Sequence, residues 1–246
     1  MLLSPLSVTV VLMKHMPLCV ALVLLAVTSA SEAAADDGPG PFGVTVVAAA
    51  GVETVRVGAL FTGGEHFCTA SVVHSARRNL LVTAAHCLDG DEDDLVFVPG
   101  YRNGAAPYGR WRVTGRVLPD GWDEDSDVAF ATVAERRGRN IEDVVGGNRF
   151  TPGTATGATA VSVTGYPNSR EVPVRCTDKP VAHSRTQQHI DCPGFSGGTS
   201  GSPWVNGDGQ VVGVLGGHEE GGATDDISYS VVLGHEAAAL YRRAAD

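Results

Sequence analysis

Residues 80–87 read Leu-Leu-Val-Thr-Ala-Ala-His-Cys, and the fold turns on this stretch. A β-prone run delivers His86 at its end, and Cys87 follows at once. The neighbouring run FCTASVV, residues 67–73, reads as another strand and holds Cys68, to which Cys87 could be tied back. Outward from there, short Val-rich runs recur between turn residues. LVFV (Leu95–Val98) is stopped by Pro99-Gly100, and TAVSVT (Thr159–Thr164) is stopped by Gly165. WRVTGRV (Trp111–Val117) and QVVGVL (Gln210–Leu215) belong to the same set. Several alternate in side-chain character, as half-buried antiparallel strands require, so a sandwich or barrel is favoured over α/β layers. The one convincing helix is His235–Ala245, with Glu236 near its start and Arg242 and Arg243 near its end, in agreement with the helix dipole.

The chain has 246 residues, 43% of them apolar and 19% charged, enough to bury a core and too apolar for wholesale disorder. A formal charge of -10 argues against a nucleic-acid binder. Residues 1–30 read as a signal peptide: Lys14 and His15, then the apolar run Leu18–Val27, then small residues. That run is too short to span a bilayer, so the mature protein is expected to be exported and soluble. Removal of the signal takes Cys19 with it and leaves Cys68, Cys87, Cys176 and Cys192. This even set points to two disulfides with three possible pairings. Residues 31–50 suit a linker or short pro-segment. A Gly-rich soft spot from Gly146 to Gly157 divides the remainder into residues 51–147 and 148–246.

Three motifs follow one another. LLVTAAHC carries His86, Asp127 opens the apolar run Val128-Ala129-Phe130, and Gly198-Thr199-Ser200-Gly201-Ser202-Pro203 sets a serine between glycines. A serine hydroxyl is a poor nucleophile until a histidine takes its proton, and a carboxylate must fix that histidine's tautomer. The oxyanion formed in acyl transfer needs fixed donors, for which the amides of Gly198 and Ser200 are the natural candidates. Asp125 is the nearest competitor for the acid, but the apolar strand begins directly after Asp127.

Together these motifs resemble the chymotrypsin-like (trypsin-like) serine endopeptidases, in that family's His, Asp, Ser order. VGALF (Val57–Phe61), VTGYP (Val163–Pro167) and GVLGGHEEGG (Gly213–Gly222) extend the likeness over essentially the whole mature chain. The VTGYP and GTSGSP forms are most similar to the bacterial secreted branch that includes the glutamyl endopeptidases. The resemblance implies an all-β fold of two six-stranded antiparallel β-barrels, with the active site between them and a short C-terminal helix. It implies a secreted serine endopeptidase acting through an acyl-enzyme, with catalytic His86, Asp127 and Ser200. Gly216, Gly217 and His218 would form the strand that binds substrate backbone. The disulfides would be Cys68 with Cys87 and Cys176 with Cys192. No metal and no cofactor are implied, and the partner is a protein or peptide substrate; a monomer is expected. The alternative is a non-catalytic protease homologue acting as an exported protein-binding module.

Departures from the family pattern bear on activation and specificity. Where the animal digestive members carry an aspartate beside the nucleophile, this chain has Thr199, so a salt bridge to a new N-terminus cannot order the loop. Gly194, Phe195 and Ser196 stand where a trypsin-like pocket needs an acid, which leans toward a neutral or apolar residue before the scissile bond. Leu215 appears in the slot where the glutamyl branch keeps a histidine. The acidic run Asp89–Asp94 lacks the glycine and closing glutamate of a calcium loop and reads as a solvated loop. A zinc site from His66, Cys68, His86 and Cys87 is disfavoured, because oxidised cysteines offer no thiolate.

Overall fold

The computed structural model describes residues 41–90 and 94–246. The expected signal peptide lies outside the described residues, as do the first part of the 31–50 segment and the middle of the acidic run. Of the 31–50 segment, Val46–Val47 form strand β1.

Six strands then close into a barrel: β2 (Val57–Thr62), β3 (Glu65–Val73), β4 (Leu80–Thr83), β5 (Val96–Pro99), β6 (Trp111–Val117) and β7 (Ala129–Val133). Their order around the barrel is β2-β3-β4-β7-β6-β5, and β5 returns to β2 with Gly58 opposite Pro99. Glycine is required at that closure, since a Cβ at Gly58 would lie 2.4 Å from the Val98 carbonyl oxygen and 2.7 Å from the Phe97 ring. Leu60, Val72, Leu81, Phe97, Trp111 and Ala131 fill the interior. The Trp111 indole N–H is satisfied by the Tyr108 carbonyl at 3.1 Å, which allows so large a side chain to be fully buried.

A short helix, α1 (Ile141–Val145), follows the barrel. Asp143 accepts the Asn140 amide at 3.3 Å, and the acids Glu142 and Asp143 sit in its first turn. The remaining strands are β8 (Arg149–Phe150), β9 (Val161–Gly165), β10 (Val174–Asp178), β11 (Val181–Ala182), β12 (Gln187–Asp191), β13 (Pro203–Asn206), β14 (Gln210–Val214) and β15 (Ile227–Val231). They form a six-stranded sheet, β1-β10-β9-β13-β14-β8, and a three-stranded sheet, β11-β12-β15. One bridge, Leu215 with Ser230, joins the sheets on one side. On the other side β10 and β12 are linked by the Cys176–Cys192 disulfide, and the Asp191 amide donates to Asp178 at 2.8 Å. The result is a second barrel, with β9, β10 and β12–β15 around Val161, Val163, Ile190, Trp204 and Val212.

Helix α2 (His235–Ala245) lies where the sequence places it. It returns to the first barrel, burying Ala237 and Leu240 and setting Tyr241 against Phe130 and Phe150, with ring centroids 5.6 and 5.1 Å away. The Tyr241 hydroxyl donates to the His74 carbonyl at 2.6 Å. Strand β6 spans the run read from the sequence, whereas α1 escaped that reading because its single turn of IEDVV has no room for a helical period.

Candidate active site

His86 stands in a single 3-10 turn, Ala85–Cys87, directly after β4. The disulfide from Cys87 to Cys68 staples that turn to β3, with Cα atoms 6.2 Å apart. A ring nitrogen of His86 lies within 4.8 Å of both sulfurs, but these are bonded to each other and cannot serve as thiolate ligands for a metal.

Asp127 precedes β7 and is completely buried. Its Oδ2 accepts from His86 Nδ1 at 2.8 Å and from the Gly217 amide at 2.7 Å. Its Oδ1 accepts from the His86 amide and from the Trp122 indole N–H, both at 3.0 Å. Burial, the largest single influence, would push this carboxyl up. The hydrogen bond and Coulomb attraction from His86, with the Gly217 and His86 amides, outweigh it and hold Asp127 below its ordinary value. The ionised carboxylate is acceptor-only, so the hydrogen of this contact sits on His86 Nδ1. Asp125 goes elsewhere: it accepts from Gln187 Nε2 at 3.0 Å.

Ser200 lies on the loop from β12 to β13. Its hydroxyl turns to the Glu220 carbonyl at 3.5 Å, and no hydrogen bond joins it to His86 among the described residues. The Ser200 carbonyl accepts from the Thr69 amide at 2.8 Å, which ties this loop to β3 of the first barrel. Gly198 has φ +96°, and a Cβ there would lie 2.1 Å from Asn168 Oδ1 and 2.6 Å from the Tyr166 carbonyl oxygen. Among the described residues, the Gly198 and Ser200 amides donate to no protein acceptor. Two such donors on one tight loop can hold an oxyanion. Thr199 is buried, its hydroxyl donating to the Ser196 carbonyl at 2.8 Å.

The segment expected to be an extended substrate strand instead bends. Gly216 donates to the Tyr229 carbonyl at 3.0 Å, Gly217 has φ +82°, and the chain kinks through Glu219 and Glu220, whose φ values of +50° and +55° are left-handed. Glycine at Gly216 follows from its closeness to the acid, since a Cβ would lie 2.5 Å from Asp127 Oδ2. The Gly216 carbonyl takes no protein donor among the described residues. His218 stacks on His183 with ring centroids 4.9 Å apart, and its Nδ1 lies 3.4 Å from Glu124. Spacing along the chain gave no reason to group His183 with His218.

Trp122, Thr69 and Asn168 were missed in the sequence. Trp122 sits five residues before the acid it serves, a local signal that could have been read; Thr69 and Asn168 act across the fold and carry none.

The model of the trypsin-like peptidase domain matches residues 68–214. Among solved structures, the protease Anisep from Arthrobacter nicotinovorans is 28% identical, covering 82% of this chain and 99% of that one, with a TM-score of 0.72. The thermostable serine protease AL20 from an extremophilic microorganism is 26% identical, covering 79% and 99%, with a TM-score of 0.70. A Glu endopeptidase in complex with MPD shares the fold at 18% identity, covering 84% and 98%, with a TM-score of 0.68. No curated protein sequence matches the chain.

Proposed function

The chain belongs to the trypsin-like peptidase family and is a serine endopeptidase, and from that premise we propose that Ser200 is its nucleophile, His86 its general base and acid, and Asp127 the carboxylate that orients the imidazole. The observation that carries this assignment is the buried Asp127, whose four accepted hydrogen bonds include His86 Nδ1 and the His86 amide. A carboxylate so held fixes one imidazole tautomer and stabilises the imidazolium that forms when the base takes a proton.

As substrate enters, the Ser200 hydroxyl leaves the Glu220 carbonyl and turns to His86 Nε2. Nε2 takes the proton as Oγ attacks the scissile carbonyl carbon. The oxygen of the tetrahedral intermediate collects the Gly198 and Ser200 amides. Protonated His86 then gives its proton to the leaving amine, leaving an acyl-enzyme, and a water attacks by the same route in reverse. The unpartnered Gly216 carbonyl supports a hydrogen bond to the substrate backbone beside the scissile bond. Gly194, Phe195 and Ser196 support a neutral or apolar side chain before that bond. Two disulfides fit an oxidising compartment, and we place the mature enzyme outside the cell.

Labelling with a serine-directed fluorophosphonate tests the assignment. The wild-type protein is expected to label and to hydrolyse peptides, and Ser200→Ala to do neither. Labelling that survives in Ser200→Ala places the nucleophile elsewhere. Cleavage of a mixed peptide library reads the pocket, and a strict Arg or Lys preference would overturn the neutral assignment.

A further inference from the structure

With Thr199 in place of an acid, some other contact must hold the oxyanion loop in its donor-out form. Two glycines in sequence, Gly197 and Gly198, make that loop easy to turn. A peptide unit is planar and trans, so tethering its carbonyl on one side aims its N–H to the other. Three successive carbonyls are tethered here. Gly197 accepts from the Asn168 amide at 2.7 Å, which aims the Gly198 N–H. Thr199 accepts from the Ser202 amide at 3.0 Å and its hydroxyl at 2.6 Å, which aims the Ser200 N–H. Between them, the Gly198 carbonyl accepts from the Thr69 hydroxyl at 2.9 Å.

Thr69 is the one member of this set on the first barrel, and it is fully buried. Its hydroxyl also accepts the Tyr166 amide at 3.0 Å, so the one available proton is directed to Gly198. Its own amide donates to the Ser200 carbonyl at 2.8 Å, and its carbonyl accepts the Thr83 hydroxyl at 2.7 Å. A turn of the Gly198–Thr199 peptide would leave that hydroxyl without its acceptor in a site sealed from water.

We infer that Thr69 is a positioning residue for the oxyanion hole, its side chain locking the Gly198–Thr199 peptide so that the flanking amides stay aimed at the reacting oxygen. This rests on the role proposed above for those two amides. It predicts a defect in transition-state stabilisation rather than in substrate binding.

Thr69→Val keeps the shape and removes the hydroxyl; Thr69→Ser keeps the hydroxyl and removes a methyl. With kcat expressed per fluorophosphonate-titrated site, so that only competent molecules count, Thr69→Val is expected to lose about 10- to 100-fold in kcat with KM changed less than about threefold. Thr69→Ser is expected to regain most of that loss. Affinity for a peptide aldehyde, whose adduct with Ser200 places an oxyanion in the same site, should fall in step with kcat/KM, while the matching product peptide binds as before. The acid limb of the pH profile should not move, because the His86–Asp127 pair is untouched. Should Thr69→Val yield too little folded protein, Thr69→Ala and Thr69→Ser are compared by the same titrated assay.

The inference is overturned if the hydroxyl-free variants keep wild-type kcat, if Thr69→Ser is as defective as Thr69→Ala, or if the aldehyde and the product peptide weaken equally. Failure of the underlying assignment looks different: wild-type protein would not label, or Ser200→Ala would still label.

Discussion

At the scale of single residues, the site is organised around a buried charge. Asp127→Asn keeps the shape but presents an amide that can donate to His86 and so favours the wrong tautomer. The expected result is a loss of roughly 10⁴ in kcat with little change in KM, read by steady-state kinetics on the best library peptide. The same carboxylate links folding to pH. Its value is lowered on folding, so its stabilisation is fully present above the ordinary carboxylate value near ~3.9 and is lost as pH falls through the lower folded value. Urea unfolding followed between about pH 5 and pH 2 should therefore show a steeper acid loss for the wild type than for Asp127→Asn. Gly198→Ala is a second residue-scale prediction. The new Cβ meets Asn168 and the Tyr166 carbonyl on a backbone at φ +96°, which costs about 1–3 kcal/mol of strain unless the loop moves. Fluorophosphonate labelling should slow well before circular dichroism shows any loss of fold.

At the scale of elements, strands were legible where β-branched residues and a turn signal coincided, as at Trp111–Val117, and α2 was legible from its cap-to-tail charge order. The bend at Gly216–Gly222 was not. Its sequence, GGHEEGG, allows an extended strand, but Asp127 draws the Gly217 amide inward and Glu124 accepts the Glu219 amide at 3.2 Å. Those partners lie about 90 residues away along the chain, beyond any local pattern. The second barrel offers an element-scale test, since its β10–β12 side relies on the Cys176–Cys192 link rather than on a ladder. Cys176→Ser with Cys192→Ser should cost roughly 3 kcal/mol in urea unfolding, with β12 and β15 losing amide-exchange protection first. Equal protection losses in both barrels would show that the link acts on the unfolded chain alone.

At the scale of the whole molecule, the catalytic groups come from both halves of the chain. His86 and Asp127 ride on the first barrel, Ser200 on the loop into the second, and the Thr69 amide joins the two at the Ser200 carbonyl. Helix α2 adds a further tie, since it follows the last strand of the second barrel yet packs Leu240 and Tyr241 on the first. Leu240→Ala should therefore cost about 2–4 kcal/mol, measured by urea unfolding. Because α2 bears on the barrel that holds His86 and Asp127, activity should disappear together with the fold as urea rises, with no inactive folded state between.

The sequence by itself determined the family, the strand-rich character and the three short motifs that name His86, Asp127 and Ser200. It could do so because each motif is contiguous and its chemistry demands those residue types next to a strand end or between glycines. Tertiary structure alone decided which donors surround Asp127, that the Ser200 hydroxyl rests on Glu220, and that a strand threonine 129 residues away holds the Gly198 carbonyl. These are hydrogen bonds between segments that meet only when the barrels close. A buried donor takes whatever acceptor the packing brings within reach, and no local spacing encodes that choice.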